Sequence, residues 1–299
     1  MRTDLPGRRP FYKYASPETA VAILRNRTVR YCAPATFNDP FDVQSGLHFD
    51  FDITSLPEKV LDKLGELASA PVEPKIDPTN PWGQLVLEAR RHYPSHGFPR
   101  DRWLSIIASA FDSLLKVFEQ TRIDFQNHWK TVMLPGVGVF CVTEDRDNLL
   151  MWAHYAKDHK GVVFELWSLP EEDNPLSVAK AIDYVDTPPS FFSEEEFVDD
   201  ILSIRKLDIT ALSRRYVYSK SRHWSYEREW RVWYPLSTTS LYDDMPIRDT
   251  EFAAVYVGCC ATDAFRAEIK STVTGFYPGV RIFQARKNEE AYALEYTEV

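Results

Sequence analysis

Short apolar runs separated by turn residues mark the first segment of the chain, about residues 9–50. The aromatic run Phe11–Ser16 predicts a strand. Pro17 directly after that serine is typical of a helix start, because serine caps free amides and proline suits the first helical position. Thr28–Ala33 predicts a second strand, and Thr36–Asp42 predicts an irregular turn. The segment therefore predicts the order strand, helix, strand, loop.

Helical spacing dominates the middle segment, about residues 51–134. An apolar stripe with this spacing runs through Asp101–Gln126 and includes Trp103, Ile107 and Phe111. We interpret the segment as a helical subdomain inserted into one α+β domain that spans residues 1–299. Two interpretations of this insertion remain open: a cover that shapes a cleft, and additional core.

Strands and helices are mixed in the last segment, about residues 135–299. The predicted strands are Gly136–Thr143, Gly161–Leu166, Ala179–Val185, Tyr226–Tyr234, Ala253–Gly258, Val280–Ala285 and Tyr292–Tyr296. The predicted helices are Asn148–Ala156 with Asp147 as its cap, a continuous or interrupted helix over about Glu194–Lys220, and Asp263–Thr274. Since strands and helices do not alternate regularly, the pattern favours an α+β fold with a mixed, partly antiparallel sheet.

Composition narrows the class of protein. The chain has 299 residues, of which 44% are hydrophobic and 26% charged, enough for an ordinary globular core. The formal net charge of −9 argues against a broad surface for duplex nucleic acid. No apolar run is long enough for a membrane helix, and Met1–Pro10 lacks the apolar core of a secretory signal. With four cysteines in no disulfide or zinc spacing, we expect a cytoplasmic protein with reduced thiols and no membrane partner.

The common nucleotide-binding and hydrolase signatures are absent from the sequence. It contains no GxxxxGK[ST] phosphate loop, no GxGxxG fingerprint, no HExxH and no GxSxG. These absences argue against P-loop ATPases, common dinucleotide-binding dehydrogenases, zinc proteases of that motif and α/β-hydrolases.

The most informative stretch is Glu227–Arg231. Side chains alternate along a strand, so Glu227, Glu229 and Arg231 are predicted to share one face. Two carboxylates that point the same way suit chemistry that develops positive charge or that must orient a hydroxyl, so Glu229 and Glu227 are the candidate catalytic residues. The structural alternative is an ion-paired sheet face in which Arg231 neutralises both acids.

Three other motifs supply candidate ligand-binding residues. The tyrosine-flanked Lys13 can contact a phosphate or a ribose, the turn Asn38–Phe41 can present amide groups, and His154 can stack on a heteroaromatic ligand. A surface lysine, a purely structural turn and a core histidine are the alternatives. The predicted binding residues are Tyr12, Lys13, Tyr14, Tyr31, Asn38, Asp39, Phe41, His154, Tyr155 and Arg231.

Together these motifs resemble a bacterial family of unknown function, DUF2971. The matching stretches are Phe11–Tyr14, Phe37–Phe41, Met151–Tyr155 with Lys160 and Gly161, and Trp224–Arg231. The resemblance extends from about residue 10 to the C-terminus. This family name implies no activity.

The strand, helix and strand near the N-terminus, with a glutamate on a late strand, also resemble ADP-ribosyltransferases. That resemblance implies a split sheet with a cleft that holds NAD. It also implies that the nicotinamide–ribose bond of NAD is cleaved and that the ADP-ribose is transferred to a macromolecule or to water. This reaction does not require a metal. Under this resemblance, Lys13 corresponds to the family's histidine or arginine on the first strand. Tyr31 or the turn Asn38–Phe41 corresponds to the serine or tyrosine on a following strand. Glu229 corresponds to the late glutamate, with Glu227 as its partner. The sequence departs from that pattern, since a lysine replaces the usual histidine or arginine and no Ser-Thr-Ser follows the second strand. A toxin or an anti-phage defence effector is the implied setting.

Two other functions remain open. A metal-dependent nuclease or hydrolase is one, and it would bind Mg²⁺ through oxygen ligands. Its candidate ligands are Asp39, Asp42, His154, Glu227 and Glu229. The other is a non-catalytic module that senses a nucleotide or assembles a defence system. A requirement for a divalent metal would distinguish the nuclease or hydrolase from an enzyme that transfers ADP-ribose from NAD. Binding of NAD or another nucleotide without turnover would identify the non-catalytic module.

Overall fold

The computed structural model describes residues 8–46, 48–93, 97–237 and 240–299. The chain forms two compact units. The first contains the chain up to Gln44, Val132–Asp186 and Tyr218–Val299. The second contains Ser45–Thr131 and Thr187–Val217. Within the described ranges, no helix combines the length and the apolar character needed to cross a membrane.

The strands belong to the first unit. In chain order they are β1 (Arg9–Ala15), β2 (Thr28–Cys32), β3 (Val137–Thr143), β4 (Val162–Ser168), β5 (Lys180–Ala181), β6 (Asp183–Val185), β7 (Ser219–Ser221), β8 (Glu229–Pro235), β9 (Tyr242–Pro246), β10 (Phe252–Val257), β11 (Arg281–Lys287) and β12 (Leu294–Glu298). The order across the main sheet is β12-β11-β10-β4-β1-β3-β2-β9, with β8 between β3 and β5. Strands β10 and β11 are parallel and the other pairs of this sheet are antiparallel, whereas β6 and β7 form a separate parallel pair. The predicted α+β class with a mixed, partly antiparallel sheet is confirmed.

The helices are divided between the two units. In chain order they are α1 (Pro17–Asn26), α2 (Leu56–Ser69), α3 (Pro81–His92), α4 (Arg100–His128), the single turn α5 (Leu134–Gly136), α6 (Leu149–Tyr155), α7 (Glu194–Ile201), α8 (Ile209–Val217) and α9 (Asp263–Phe276). The second unit contains α2, α3, α4, α7 and α8. Its core includes Leu61, Leu64, Val86, Ile107, Phe111 and Leu202. The helix predicted over Asp101–Gln126 is α4, and the helix predicted over Glu194–Lys220 is interrupted.

Local signals account for the start of two helices near the cleft described below. Ser16 caps α1 by accepting a hydrogen bond from the amide of Thr19, as predicted. The predicted cap of α6 is wrong. Asn148, rather than Asp147, accepts hydrogen bonds from the first amides of that helix. Asp147 instead pairs with the neighbouring Arg146.

The main sheet is buried on both faces. On one face, Phe11 and Phe164 pack with Leu24 of α1 and Ile269 of α9. On the other face, Tyr14, Val163 and Tyr256 pack with Trp152 of α6. Neighbouring residues of β1 and β4 therefore serve opposite faces, as strand alternation requires. The four cysteines, which are Cys32, Cys141, Cys259 and Cys260, are unpaired in the structure; Cys260 is exposed and the other three are partly exposed.

Strand β3 is the point at which the sheet divides. One edge of β3 pairs with β8 along its whole length, from Val137 opposite Pro235 to Thr143 opposite Glu229. The other edge pairs with β1 at one position, Tyr12 with Thr143, and with β2 at one position, Cys32 with Val139. Strands β1 and β2 thus diverge along the same edge of β3. The candidate site lies in the gap between them.

Candidate functional site

A cavity of about 270 Å³ opens where β1, β2 and β3 diverge. Eight of the twelve predicted site residues line it, and these are Tyr12, Lys13, Tyr14, Asn38, Tyr155, Glu227, Glu229 and Arg231. Residues that were not predicted as catalytic or cofactor-binding also line it, notably Asp42 and Lys220. The first unit alone supplies all these side chains.

The prediction that Glu227 lies on a strand with Glu229 is wrong. Residues Arg222–Glu227 form a 3₁₀ helix, and β8 begins only at Glu229. Between them, Arg228 adopts a left-handed conformation with φ of 47°, which turns the chain before the strand starts. Period-two alternation therefore applies to Glu229 and Arg231 and not to Glu227.

Arg231 lies at the bottom of the cavity and is fully buried. Its Nε donates to Oε1 of Glu229 at 2.7 Å, and its Nη2 donates to Oε2 of the same carboxylate at 3.2 Å. Nη2 also donates to Oδ2 of Asp42 at 2.6 Å. The guanidinium thus neutralises Glu229 and Asp42, whereas the sequence had suggested Glu227 and Glu229.

Lys220 brings Glu227 into the same group of charges. Its Nζ donates to Oε2 of Glu227 at 2.5 Å and to Oε2 of Glu229 at 3.0 Å. The same atom lies 3.5 Å from Oδ2 of Asp42. We call Asp42, Lys220, Glu227, Glu229 and Arg231 the charged cluster. All five side chains are at least nine-tenths buried.

Helix α6 connects the charged cluster to the wall of the cavity through Tyr155. The hydroxyl of Tyr155 donates to Oε1 of Glu227 at 2.5 Å. The backbone amide of Glu229 is also satisfied, because it donates to the hydroxyl of Tyr184 at 2.8 Å. Both glutamates are therefore fixed by polar contacts as well as by burial.

The two glutamates differ in proton affinity. Burial raises the pKa of Glu229, but the neighbouring Arg231 and Lys220 outweigh that effect and hold the pKa well below its usual value. Burial raises the pKa of Glu227 above its usual value, and the charge of Lys220 only partly opposes this. Burial likewise raises the pKa of Asp42 against the charge of Arg231. Adjacent carboxyl groups with opposite shifts are typical of acid–base sites.

Lys13 supplies a separate positive charge at the divided edge of β3. Its Nζ donates to the backbone carbonyl of Cys141 at 2.9 Å and lies 5.1 Å from the centre of the Phe140 ring. Across the residues that the structure describes, no carboxylate lies within ion-pair distance of this ammonium group. A half-buried cation without an acidic partner is suited to an anionic ligand.

The other four predicted binding residues do not line this cavity. Tyr31 is in the hydrophobic core and stacks on Phe140 at 5.3 Å. Asp39 accepts a hydrogen bond from the backbone amide of Phe41 and so closes the turn, while the Phe41 ring is 75% exposed. His154 is exposed, and its Nδ1 lies 3.0 Å from the hydroxyl of Tyr226.

The acids proposed as magnesium ligands are already engaged in other contacts. In the described parts of the chain, no group of three or more histidine, cysteine, aspartate or glutamate side chains is arranged to hold a metal ion. Asp42, Glu227 and Glu229 contact Lys220, and two of them also contact Arg231.

Sequence reasoning missed Lys220 and gave Asp42 only a metal-binding role. Lys220 lies at the end of a predicted helix, where no periodic pattern distinguishes it from a surface lysine. Asp42 follows the turn Asn38–Phe41 and could have been recognised only by knowing that this loop passes Arg231.

Comparison with known families gives one match. Residues 151–232 match the family model described as protein of unknown function (DUF2971). This range includes Tyr155, Lys220 and both glutamates of the charged cluster, and it confirms the predicted resemblance to that family over these residues. The stretches Phe11–Tyr14 and Phe37–Phe41 lie outside the match. A search of the curated proteins found no match, and a search of the solved structures also found none.

Proposed function

We propose that this chain, whose residues 151–232 match the DUF2971 family model, cleaves the nicotinamide–ribose bond of NAD and transfers ADP-ribose to a macromolecule or to water. The observation that carries the proposal is the carboxylate of Glu229 at the wall of the cavity, with Arg231 and Lys220 beside it. The resemblance to ADP-ribosyltransferases, which remains a prediction, suggests the same reaction.

The chemistry requires stabilisation of a positive charge. The bond from the ribose C1′ to nicotinamide breaks, and both electrons leave with the neutral base. The ribose becomes an oxocarbenium-like cation, and the oxygen of water or of an acceptor adds to C1′ and releases a proton to solvent. A fixed carboxylate next to C1′ lowers the energy of that cation. Glu229 is the carboxylate that we assign to this role.

Other walls of the cavity suit the remaining parts of NAD. Lys13 has no acidic partner among the described residues and can bind a phosphate oxygen. Tyr12 and Phe37 offer aromatic faces for a ring. A volume of about 270 Å³ suits a small ligand, so we expect the nicotinamide ribose to be enclosed and the adenosine to lie outside.

Nicotinamide release from NAD tests the proposal directly. We expect the wild type to release nicotinamide without a divalent metal, and Glu229→Gln to lose roughly 10²-fold or more in rate. Glu289→Gln is the matched control, because it removes an exposed carboxylate of the same unit. Water, candidate proteins and nucleic acids are supplied separately as acceptors.

Three outcomes separate the alternatives. Full activity in Glu229→Gln contradicts the assigned role. Binding of NAD without turnover under all acceptor conditions favours a nucleotide-sensing module. If NAD does not bind at all, and hydrolysis of nucleic acid appears only with Mg²⁺, the metal-dependent alternative replaces the proposal.

A further inference from the structure

Lys220 occupies the centre of the charged cluster. It lies on the short strand β7 and is 7% exposed. Its ammonium group contacts Glu227 at 2.5 Å, Glu229 at 3.0 Å and Asp42 at 3.5 Å. One cation therefore contacts all three carboxyl groups of the cluster.

The charged cluster contains more acids than bases. Asp42, Glu227 and Glu229 can carry three negative charges, whereas Lys220 and Arg231 carry two positive charges. A net charge in a buried position is costly, and a carboxyl group avoids that cost by keeping its proton. One of the three carboxyl groups is therefore expected to keep its proton to a higher pH than an exposed carboxyl group does.

The contacts distinguish Glu229 from the other two acids. Its carboxylate accepts two hydrogen bonds from Arg231 and one from Lys220. Protonation of Glu229 would weaken contacts with both cations. It is therefore the carboxyl group for which protonation is least favourable.

Hydrogen bonding then separates Glu227 from Asp42. A protonated carboxyl group needs an acceptor for its hydrogen. Within the described residues, Oδ1 of Asp42 is buried without a hydrogen-bond partner, so a proton there would have no acceptor. The hydroxyl of Tyr155 donates to Oε1 of Glu227 at 2.5 Å, and because a hydroxyl can also accept, this bond can reverse when Glu227 carries the proton. Glu227 is thus the site that can hold the proton.

We infer that Lys220 is a positioning residue of the proposed reaction, which keeps Glu229 as the carboxylate beside the ribose and leaves the shared proton on Glu227. Its part in catalysis rests on the proposed function. The protonation pattern rests only on the contacts of the cluster. The titratable groups that face Glu227 are Lys220, Glu229, Tyr155, Tyr184 and Tyr226.

Carbon-13 NMR of protein labelled at the glutamate carboxyl carbon tests the pattern without any substrate. Spectra of Glu227→Gln and Glu229→Gln assign the two resonances. In the wild type, we expect the Glu227 resonance to titrate at higher pH than that of an exposed glutamate, and Glu229 to remain ionised down to the lowest pH at which the protein is folded. In Lys220→Met, the Glu229 resonance should begin to titrate within the accessible range. Lys270→Met, which removes an exposed lysine of the same unit, should leave both resonances unchanged.

Two further variants keep the inference testable if Lys220→Met does not fold. Lys220→Arg retains the positive charge and should preserve both titrations. Lys220→Met combined with Asp42→Asn removes one charge of each sign, so it should fold while Glu229 titrates higher than in the wild type. An unchanged Glu229 resonance in a folded variant without Lys220, or a wild-type Glu227 resonance that titrates no higher than that of an exposed glutamate, would overturn the inference.

A separate experiment measures activity. If the wild type cleaves NAD, kcat is measured as a function of pH. The fall of kcat at acidic pH should begin at a higher pH in Lys220→Met than in the wild type, and Lys220→Arg should restore the wild-type position. A purely structural role for Lys220 would lower kcat at all pH values and leave the position of this fall unchanged. If the wild type does not cleave NAD, the proposed function fails while the NMR titration still judges Lys220.

Discussion

Arg231 and Glu229 form a bidentate ion pair on one face of β8, with Nε to Oε1 at 2.7 Å and Nη2 to Oε2 at 3.2 Å. The pair forms because residues two apart on a strand point the same way. Nη2 of Arg231 continues to Asp42 at 2.6 Å. A single buried guanidinium therefore links β8 to the loop that follows β2, and this link shapes the bottom of the cavity.

Replacement of Arg231 by leucine should destabilise the protein strongly. It leaves Glu229 and Asp42 buried without their main positive partner, and loss of one member of a buried ion pair costs about 3–5 kcal/mol. We expect a loss of this size in the free energy of unfolding, measured by urea denaturation at pH 7.

Arg30→Leu is the matched control for this prediction. Arg30 also makes a bidentate pair, with Asp244 at 2.8 Å for both bonds, but its side chain is 52% exposed. Exposed pairs contribute about 0–1 kcal/mol because water already solvates both charges. Equal losses in the two variants would contradict the importance assigned to burial.

The difference in unfolding free energy between the wild type and Glu229→Gln, and that between the wild type and Glu227→Gln, should change with pH in opposite directions. Arg231 and Lys220 outweigh burial and lower the folded-state pKa of Glu229, so its stabilising contribution is complete above about pH 4.5 and is lost as pH falls through the folded value. The gap in unfolding free energy between wild type and Glu229→Gln should therefore narrow in acid. Thermal or urea unfolding, followed from pH 7 down to the lowest pH at which the protein is folded, measures this gap.

Glu227 gives the reverse case. Burial raises its folded-state pKa, so its contribution is complete below about pH 4.5 and is lost as pH rises through the folded value. The gap between wild type and Glu227→Gln should therefore narrow toward alkaline pH, with a slope of at most about 1.4 kcal/mol per pH unit. Slopes of the same sign for the two glutamates would show that they do not differ in protonation.

Local chemistry explains which parts of the fold could be predicted. The Ser16 and Pro17 signal defines the start of α1 because capping involves only neighbouring residues. The apolar stripe of α4 is likewise visible within the helix itself. The division of the sheet at β3 depends on pairing with β1 and β2, which lie over a hundred residues earlier, and no local pattern encodes that geometry.

The candidate site shows the same limit. Alternation correctly placed Glu229 and Arg231 on one face, because both lie inside β8. It failed for Glu227, because the left-handed Arg228 ends the preceding turn and starts the strand later than the pattern suggested. Lys220 meets its partners through tertiary packing alone, so no spacing in the sequence could identify it.

Gly161 should not tolerate a side chain. A Cβ atom at this position would lie 2.0 Å from the backbone oxygen of Ala15 and 3.1 Å from that of Ala156. Because backbone atoms cannot move aside as a flexible side chain can, Gly161→Ala should lower the unfolding free energy by at least ~1–3 kcal/mol. Gly275→Ala is the control, since nothing lies within 4 Å of its Cβ in α9. Because Gly275 lies in the last turn of α9, that change should raise the unfolding free energy by at most about 0.5–1 kcal/mol, and a loss at both sites would mean that sterics are not the cause.

Lys13→Met should weaken NAD binding through the phosphates. The ammonium group has no acidic partner among the described residues, so a phosphate can become its partner without displacing an existing ion pair. Hydrogen bonds to charged groups contribute about 1.5–3 kcal/mol, which corresponds to roughly a 10- to 100-fold increase in Kd. Calorimetry with NAD measures the change, and nicotinamide riboside, which lacks phosphates, serves as the second ligand.

Two controls test whether the effect comes from the phosphates. We expect the riboside to bind wild type and Lys13→Met equally, and Lys270→Met to bind NAD as the wild type does. An equal loss for both ligands would place the effect in the lost bond to the Cys141 carbonyl, and no loss for NAD would mean that Lys13 does not contact its phosphates.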